Sequence, residues 1–214
     1  MSTFTSTRFF GAILICLGFI GTSAQSETST TKSKSPLILG ITAGIGSLGV
    51  NHFNDDRIKD HGSTQITSSL QGEIQIGYRL SDKVSLLTGL STKSFSAAFE
   101  YKNEEYSYRG GRYSIPLTLR YTFSNKMLSP FCDMGLYYAF GNRNFAVNET
   151  TADRLGGQPF DNLGYKGAVG IMYNDDGGRW SYLINLGVMG DASQEGKISL
   201  AGYSINMGFQ FYLL

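Results

Sequence analysis

The sequence predicts an all-β fold: one eight-stranded, antiparallel, up-and-down transmembrane β-barrel. Three observations predict it. Apolar and polar residues alternate over eight segments of about 9–14 residues, as in strands with one apolar face. The gaps between segments run long, short, long, short, as in a meander with tight turns at one end and extended loops at the other. Aromatic residues on the apolar face gather at the segment ends, around an aliphatic middle. Composition agrees. The 27 Gly, 13 Tyr and 14 Phe against 4 Pro favour strands and tight turns. Charged residues make up 16% of the chain, where about a quarter is usual in soluble domains. The formal net charge of +1 gives no support to a nucleic-acid partner.

Residues 1–24 read as a secretory signal peptide. Arg8 is its positive region, Phe9 to Ile20 its apolar run, and Thr22-Ser23-Ala24 its small-residue cleavage site. The apolar run is about 12 residues, too short for a spanning helix, which needs about 20. Cleavage near Ala24 removes Arg8 and no acid, so 17 basic residues face 17 acidic ones and the mature charge is zero. It also removes Cys16 and leaves Cys132, so no intramolecular disulfide is expected in the envelope. Residues 25–36, QSETSTTKSKSP, read as a disordered polar linker. The barrel is expected over 37–214.

The first strand is expected over 37–47, with Leu37, Leu39, Ile41, Ala43 and Ile45 on one face. The second, 70–80, sets Leu70, Ile74, Ile76, Tyr78 and Leu80 against Gln71, Glu73, Gln75, Gly77 and Arg79. The third covers 84–92. The fourth, 113–123, opposes Tyr113, Ile115, Leu117, Leu119, Tyr121 and Phe123 to Ser114, Pro116, Thr118, Arg120 and Thr122. Segments 130–140, 164–173, 180–190 and 200–213 complete the set. Residues 81–83, 124–129 and 174–179 are short turns. Residues 48–68, 93–112 and 141–163 are long loops, and 191–197 is a modest one at the same end.

Alternation alone does not say which face points inward, since a soluble lipocalin-like carrier of an apolar ligand alternates equally well. Two features favour apolar-out. The opposite face carries bulky polar groups, among them Glu73, Gln75, Arg79, Lys93, Arg120, Asp133, Lys166 and Gln210. The apolar-face aromatics form two girdles. Tyr78, Tyr121, Phe123, Tyr173, Tyr182 and Phe211 lie toward the short turns, and Tyr113, Phe140, Tyr165 and Tyr203 toward the long loops. Rings sorted by height suit two headgroup layers. Glu73, Arg79, Arg120, Asp133 and Lys166 are then expected to form a lumenal polar network that plugs the barrel, because eight strands leave room only for side chains.

The last strand, YSINMGFQFYLL, is expected to close the barrel against the first. Asn206, Gly208, Phe211 and Leu213 have the polar-x-Gly-x-x-apolar-x-apolar spacing of a C-terminal signal read by barrel-insertion machinery. The stretch Tyr113-Ser114-Ile115-Pro116-Leu117-Thr118-Leu119-Arg120-Tyr121 resembles the Tyr-Leu-Glu-Ile-Pro-Leu strand of the PorT-like outer-membrane barrel proteins of Bacteroidetes. Leu86 to Ser91, and Pro130-Phe131 with Gly135, are also similar. The family's Glu falls at Ser114, so any lumenal ion pair it makes is missing or rebuilt here. The resemblance implies an outer-membrane location and a small barrel of OmpA/OmpX-like size, and little about activity.

No residues are expected to be catalytic, to bind a cofactor or to hold a metal. His52 and His61 with Asp55, Asp56 and Asp60 form a polar loop, and neither histidine falls in a predicted strand beside a serine. Tyr101, Tyr106, Tyr108, Arg109 and Arg112 are candidate partner contacts in the second long loop, unless they simply continue the strands above the membrane. The expected function is a non-enzymatic scaffold or accessory component of the Gram-negative envelope. It contacts the outer-membrane lipid bilayer, the insertion machinery and an envelope or extracellular protein. The alternatives are an outer-membrane enzyme acting on lipid or peptide, and the soluble carrier.

Overall fold

A computed structural model describes residues 36–52, 67–101, 104–140, 143–147, 162–176, 178–192 and 199–213. Within these, only the backbone is described at 49–52, 67, 95–101, 104–110, 143–147 and 199–200. The signal peptide and most of the linker lie outside the described residues, as does His61. Pro36, the last residue of the expected linker, already belongs to the barrel, since its carbonyl accepts from Arg79 N at 2.6 Å.

The strands are β1 (Leu37–His52), β2 (Thr67–Arg79), β3 (Val84–Tyr101), β4 (Glu104–Thr122), β5 (Leu128–Phe140), β6 (Arg143–Val147), β7 (Asn162–Asn174), β8 (Trp180–Asp191) and β9 (Ser199–Leu213). Their order around the sheet is β3-β2-β1-β9-β8-β7-β5-β4, and β3 pairs with β4 to close the ring. Eight long strands thus form a closed antiparallel barrel. The short β6 continues the line of β5 along β4. Tyr113 pairs with Phe140 of β5, and Gly110 pairs with Arg143 of β6.

The closing seam is the pairing of β1 with β9, from Leu37 opposite Leu213 to His52 opposite Ser199, with a register shift between Val50 and His52. Three tight turns join strands at the Leu37 end. Between β2 and β3, Leu80 N donates to Val84 O at 2.9 Å, and Ser81 Oγ accepts from Val84 N at 3.1 Å. Between β4 and β5, Ser129 Oγ donates to Lys126 O at 2.7 Å. Between β7 and β8, Gly178 takes φ 67°, a left-handed conformation that favours glycine.

Pro116 sits inside β4, where a strand normally needs its N–H. The β3–β4 ladder opens there, its pairing passing from Thr88–Leu117 directly to Ser91–Ser114. The Thr88 hydroxyl donates to the Pro116 carbonyl at 2.7 Å instead.

The apolar face points outward. Ile41, Ile45, Leu70, Ile74, Leu117, Leu136, Leu186 and Met207 are all exposed. Tyr78, Tyr113, Tyr173, Tyr182, Tyr203 and Phe211 are exposed toward the two rims, joined by Trp180 and Tyr138. Gln75, Arg120, Asp133, Asn185 and Gln210 are buried on the inner face. The apolar-in alternative required the reverse.

One expected loop is mostly strand. Over 93–112 the β3–β4 ladder runs on to Tyr101 opposite Glu104. The apolar residues there, Phe95, Phe99, Tyr101, Tyr106 and Tyr108, fall on the opposite parity to the belt residues Leu86, Leu90, Tyr113 and Ile115, so they do not extend the belt's pattern, yet backbone pairing continues. Tyr101, Tyr106, Tyr108 and Arg109 are therefore strand positions by backbone, and their side chains lie outside the described residues. His52 closes β1 rather than starting a loop.

Ile74 is 65% exposed at mid-belt, paired between Ile41 and Leu90. Ile74→Lys should cost about 2–4 kcal/mol in unfolding from lipid vesicles, as a charge at the bilayer midplane does. At the seam, a Cβ on Gly44 would meet the Ile205 carbonyl and the Asn206 side chain. Gly44→Val should abolish the compact form that runs fast on an unboiled gel, while Gly111→Val, where a Cβ meets nothing, should keep it.

Candidate functional site

The inner wall is set by strand parity. Every second residue of β2 from Ser69 to Arg79, and of β4 from Arg112 to Thr122, faces the lumen. So do the odd residues of β3 from Ser85 to Lys93, of β5 and of β8, and the even ones of β1 from Ile38 to Leu48, of β7, and of β9 from Gly202 to Tyr212. The lumen is layered from this alternation.

Nearest the tight turns, Ser181 Oγ donates to Asn174 Oδ1 at 2.8 Å, and Asn174 Nδ2 donates to Ser129 Oγ at 3.0 Å. Above lie two apolar clusters, Ile38 with Leu87 and Tyr212, and Phe131 with Met172 and Leu183. Arg79 packs its guanidinium over the Tyr212 ring at 5.0 Å.

The Arg120–Asp133 pair stands on this floor. Nε and Nη2 of Arg120 each donate to a different Asp133 oxygen at 2.7 Å, and the guanidinium lies 4.3 Å from the centre of the Phe131 ring. The two residues are register partners on adjacent strands, which aims both side chains at the same point. Bidentate geometry offsets the desolvation that burial imposes on an ion pair.

Higher still, Lys166 Nζ lies 2.9 Å from Glu73 Oε2 across the lumen. Gln75 Nε2 donates to Glu73 Oε1 at 2.8 Å. Gln71 donates to Asn206 Oδ1, and Asn206 Nδ2 donates to Asn185 Oδ1 at 2.7 Å.

At the far end Arg112 binds Asp191 through both carboxylate oxygens, at 2.9 and 2.5 Å. Tyr137 OH donates to Asp191 Oδ1 at 2.6 Å, and the Arg112 guanidinium lies 5.1 Å from the Tyr137 ring centre.

The structure therefore brings together Glu73 with Lys166 and Arg120 with Asp133, and sets Arg79 apart, at the tight-turn mouth against Tyr212. Arg112 corrects the sequence reading. Expected as a loop contact for a partner or a strand extension above the membrane, it is buried, because it shares parity with Ser114, Thr118 and Arg120 and points inward. Its partner Asp191 fell just outside the predicted strand, though it shares parity with Asn185. Of the expected C-terminal signal, Asn206 and Gly208 face the lumen while Phe211 and Leu213 face out, on a strand paired on both sides. Among the described residues no group of three or more His, Cys, Asp or Glu is placed to hold a metal.

Between the Arg120 layer and the Arg112 layer lies a cavity of about 70 Å³. Below it, near Arg79 and Gln210, the free space falls to about 10 Å³.

A closed antiparallel ring, apolar outside and ion-paired within, defines the class of outer-membrane-type β-barrels. Among solved structures the chain is similar to Neisserial surface protein A, with a TM-score of 0.56 and 10% identity over 85% of this chain and 100% of that one. It also matches the N-terminal β-barrel domain of Pseudomonas aeruginosa OprF, at TM-score 0.43, 15% identity, 84% of this chain and 100% of that one. A third match is Ail, the attachment invasion locus protein of Yersinia pestis, solved with the heparin analogue sucrose octasulfate, at TM-score 0.44, 11% identity, 82% of this chain and 99% of that one. The first likeness shows the eight-stranded barrel fold. No protein-family profile matches the sequence, and no curated protein does.

Arg120→Met leaves Asp133 charged and buried, and should destabilise the barrel by about 3–5 kcal/mol in urea titration. The double change Arg120→Met with Asp133→Leu should recover most of that loss.

Proposed function

We propose that the chain is a non-enzymatic integral outer-membrane protein: a plugged barrel scaffold that holds extracellular segments for binding an envelope or extracellular partner. The observation that carries this reading is the filled lumen. Among the described residues three ion pairs and two apolar clusters occupy it, and the cavity beside them is too small for a lipid or peptide substrate. A wall built this way stiffens the ring and leaves recognition to what projects beyond it.

The outward belt of aliphatic residues between aromatic rims supports residence in a bilayer. The signal peptide at 1–24 would export the chain, and the Asn206, Gly208, Phe211 and Leu213 pattern would present its last strand to the barrel-insertion machinery. The likeness of Tyr113–Tyr121 to the PorT-like strand supports the finer placement among small barrels of Bacteroidetes. Partner contact falls to the β3–β4 hairpin, which reaches Tyr101 and Glu104 well past the girdle residue Tyr113.

The test is fractionation of the producing cell, then gel mobility before and after boiling, then planar-bilayer recording of the purified protein. The expected result is an outer-membrane pellet, a mobility shift on boiling, and no conductance steps. A protein soluble without detergent would sink the membrane reading. Steady conductance through the wild-type barrel would sink the plug.

A further inference from the structure

The cavity above the Arg120–Asp133 pair has a charge imbalance in its walls. Lys93 and Arg112 are direct register partners on β3 and β4, both facing the lumen. Like charges directly opposed across a ladder repel. Arg112 is compensated by Asp191, which it holds through both oxygens. Lys166 is compensated by Glu73, and Asp133 is taken by Arg120. Lys93 has no carboxylate within ion-pair distance among the described residues. Its ammonium contacts the Met189 sulfur, which is a weak acceptor and carries no charge.

The cavity beside Lys93 is also lined by two donors that suit an anion, the hydroxyls of Ser91 and Ser114. The Glu73 and Asp133 carboxylates that share its wall are held by Lys166 and Arg120, and the Gln71 and Asn206 amides there donate to Asn206 and Asn185. Its volume of about 70 Å³ is several times the roughly 10–15 Å³ that admits a single water. That suits one small ion with part of its hydration shell. It is too little for a sugar or a nucleotide.

We propose that this lumenal cavity binds a small monovalent anion, of halide size, against the Lys93 ammonium. The ion supplies the negative charge that the lumen's own side chains leave out at that level. It lets three cations, Lys93, Arg112 and Lys166, share one end of a narrow lumen where, among the described residues, Glu73 and Asp191 are the carboxylates paired with them. Ser114 marks the other way to close the balance, since a carboxylate at that position would enter the same cavity.

Bromide is the probe. The full chain is refolded in a neutral detergent across a bromide series, with ionic strength held constant by gluconate, which is too large for the cavity. The temperature at which the compact gel form is lost is then read. The wild type should gain a few degrees in a saturable way, as a ligand bound only by the folded state requires. Lys93→Met should be flat across the series, and so should Ser114→Glu. Crystals grown in bromide should show an anomalous peak in the cavity beside Lys93 in the wild type and none in Lys93→Met. A flat wild-type series, an equal response in Lys93→Met, or a cavity holding water alone in bromide would overturn the proposal. If Ser114→Glu fails to refold, the isosteric Lys93→Met and the anomalous peak still decide it.

Discussion

The structure depends on closure of the ring. Each strand must find hydrogen-bond partners on both sides, because a backbone group facing hydrocarbon has no water to turn to. That single demand pairs β9 with β1, the strands farthest apart in sequence, over nearly the full length of both. It fixes parity as well. A slip of one residue at the seam would carry Gln210 and Asn206 into the belt and Phe211 into the lumen. The small residues Gly40, Gly44 and Gly46 lie on the inner side of β1, where Gln210, Asn206 and Ser204 of β9 crowd against it. The seam is therefore specified by shape as well as by hydrogen bonds.

Closure with eight strands makes a narrow lumen, and the narrow lumen dictates its contents. Inward side chains crowd one another, so many polar groups match across the ring as well as between neighbouring strands. Lys166 and Glu73 lie 93 positions apart and meet at 2.9 Å. Gln71 and Asn206 lie 135 apart and also meet. Charge is spent on contacts between walls, which resists flattening of the ring. The apolar floor of Phe131, Met172, Leu183, Ile38, Leu87 and Tyr212 lets Arg120 lie on an aromatic face, where a guanidinium is attracted to the ring as well as to Asp133.

Much of this was legible in the sequence, and what was not has physical reasons. The strands of the belt were readable because lipid on one side and packed side chains on the other enforce a strict period of two, as in β2. The tight turns were readable because Ser81-Asp82-Lys83 and the Asp-Gly run before Arg179 carry their own chemistry. The outer parts of β3 and β4 were not, since their apolar residues, from Phe95 to Tyr101 and at Tyr106 and Tyr108, fall on the parity opposite to the belt and so do not continue its pattern. Arg112 was misplaced for the same reason: its neighbours read as loop, so parity was never applied to it. The apolar floor was missed because Phe131 and Tyr212 on a mostly polar face look like exceptions to a pattern, when they are a layer of it. Pairings across the ring depend on register and strand tilt, which no local stretch encodes.

The same packed wall also constrains where change can be tolerated. A residue facing the belt sees lipid, and one facing the lumen packs among the other walls' side chains. Change at either place is costly, by exposing charge to hydrocarbon or by stranding a buried ion. Only the chain beyond the girdles is free of both demands, which is why the long connections can vary without disturbing the ring. The β3–β4 ladder uses that freedom differently from an ordinary loop. It carries barrel geometry outward through continuous pairing to Tyr101 and Glu104, with β6 alongside β4 as a third strand. A surface presented on such a ribbon is held at a set height and orientation by the barrel beneath it, so stiffness in the lumen is transmitted along the paired strands.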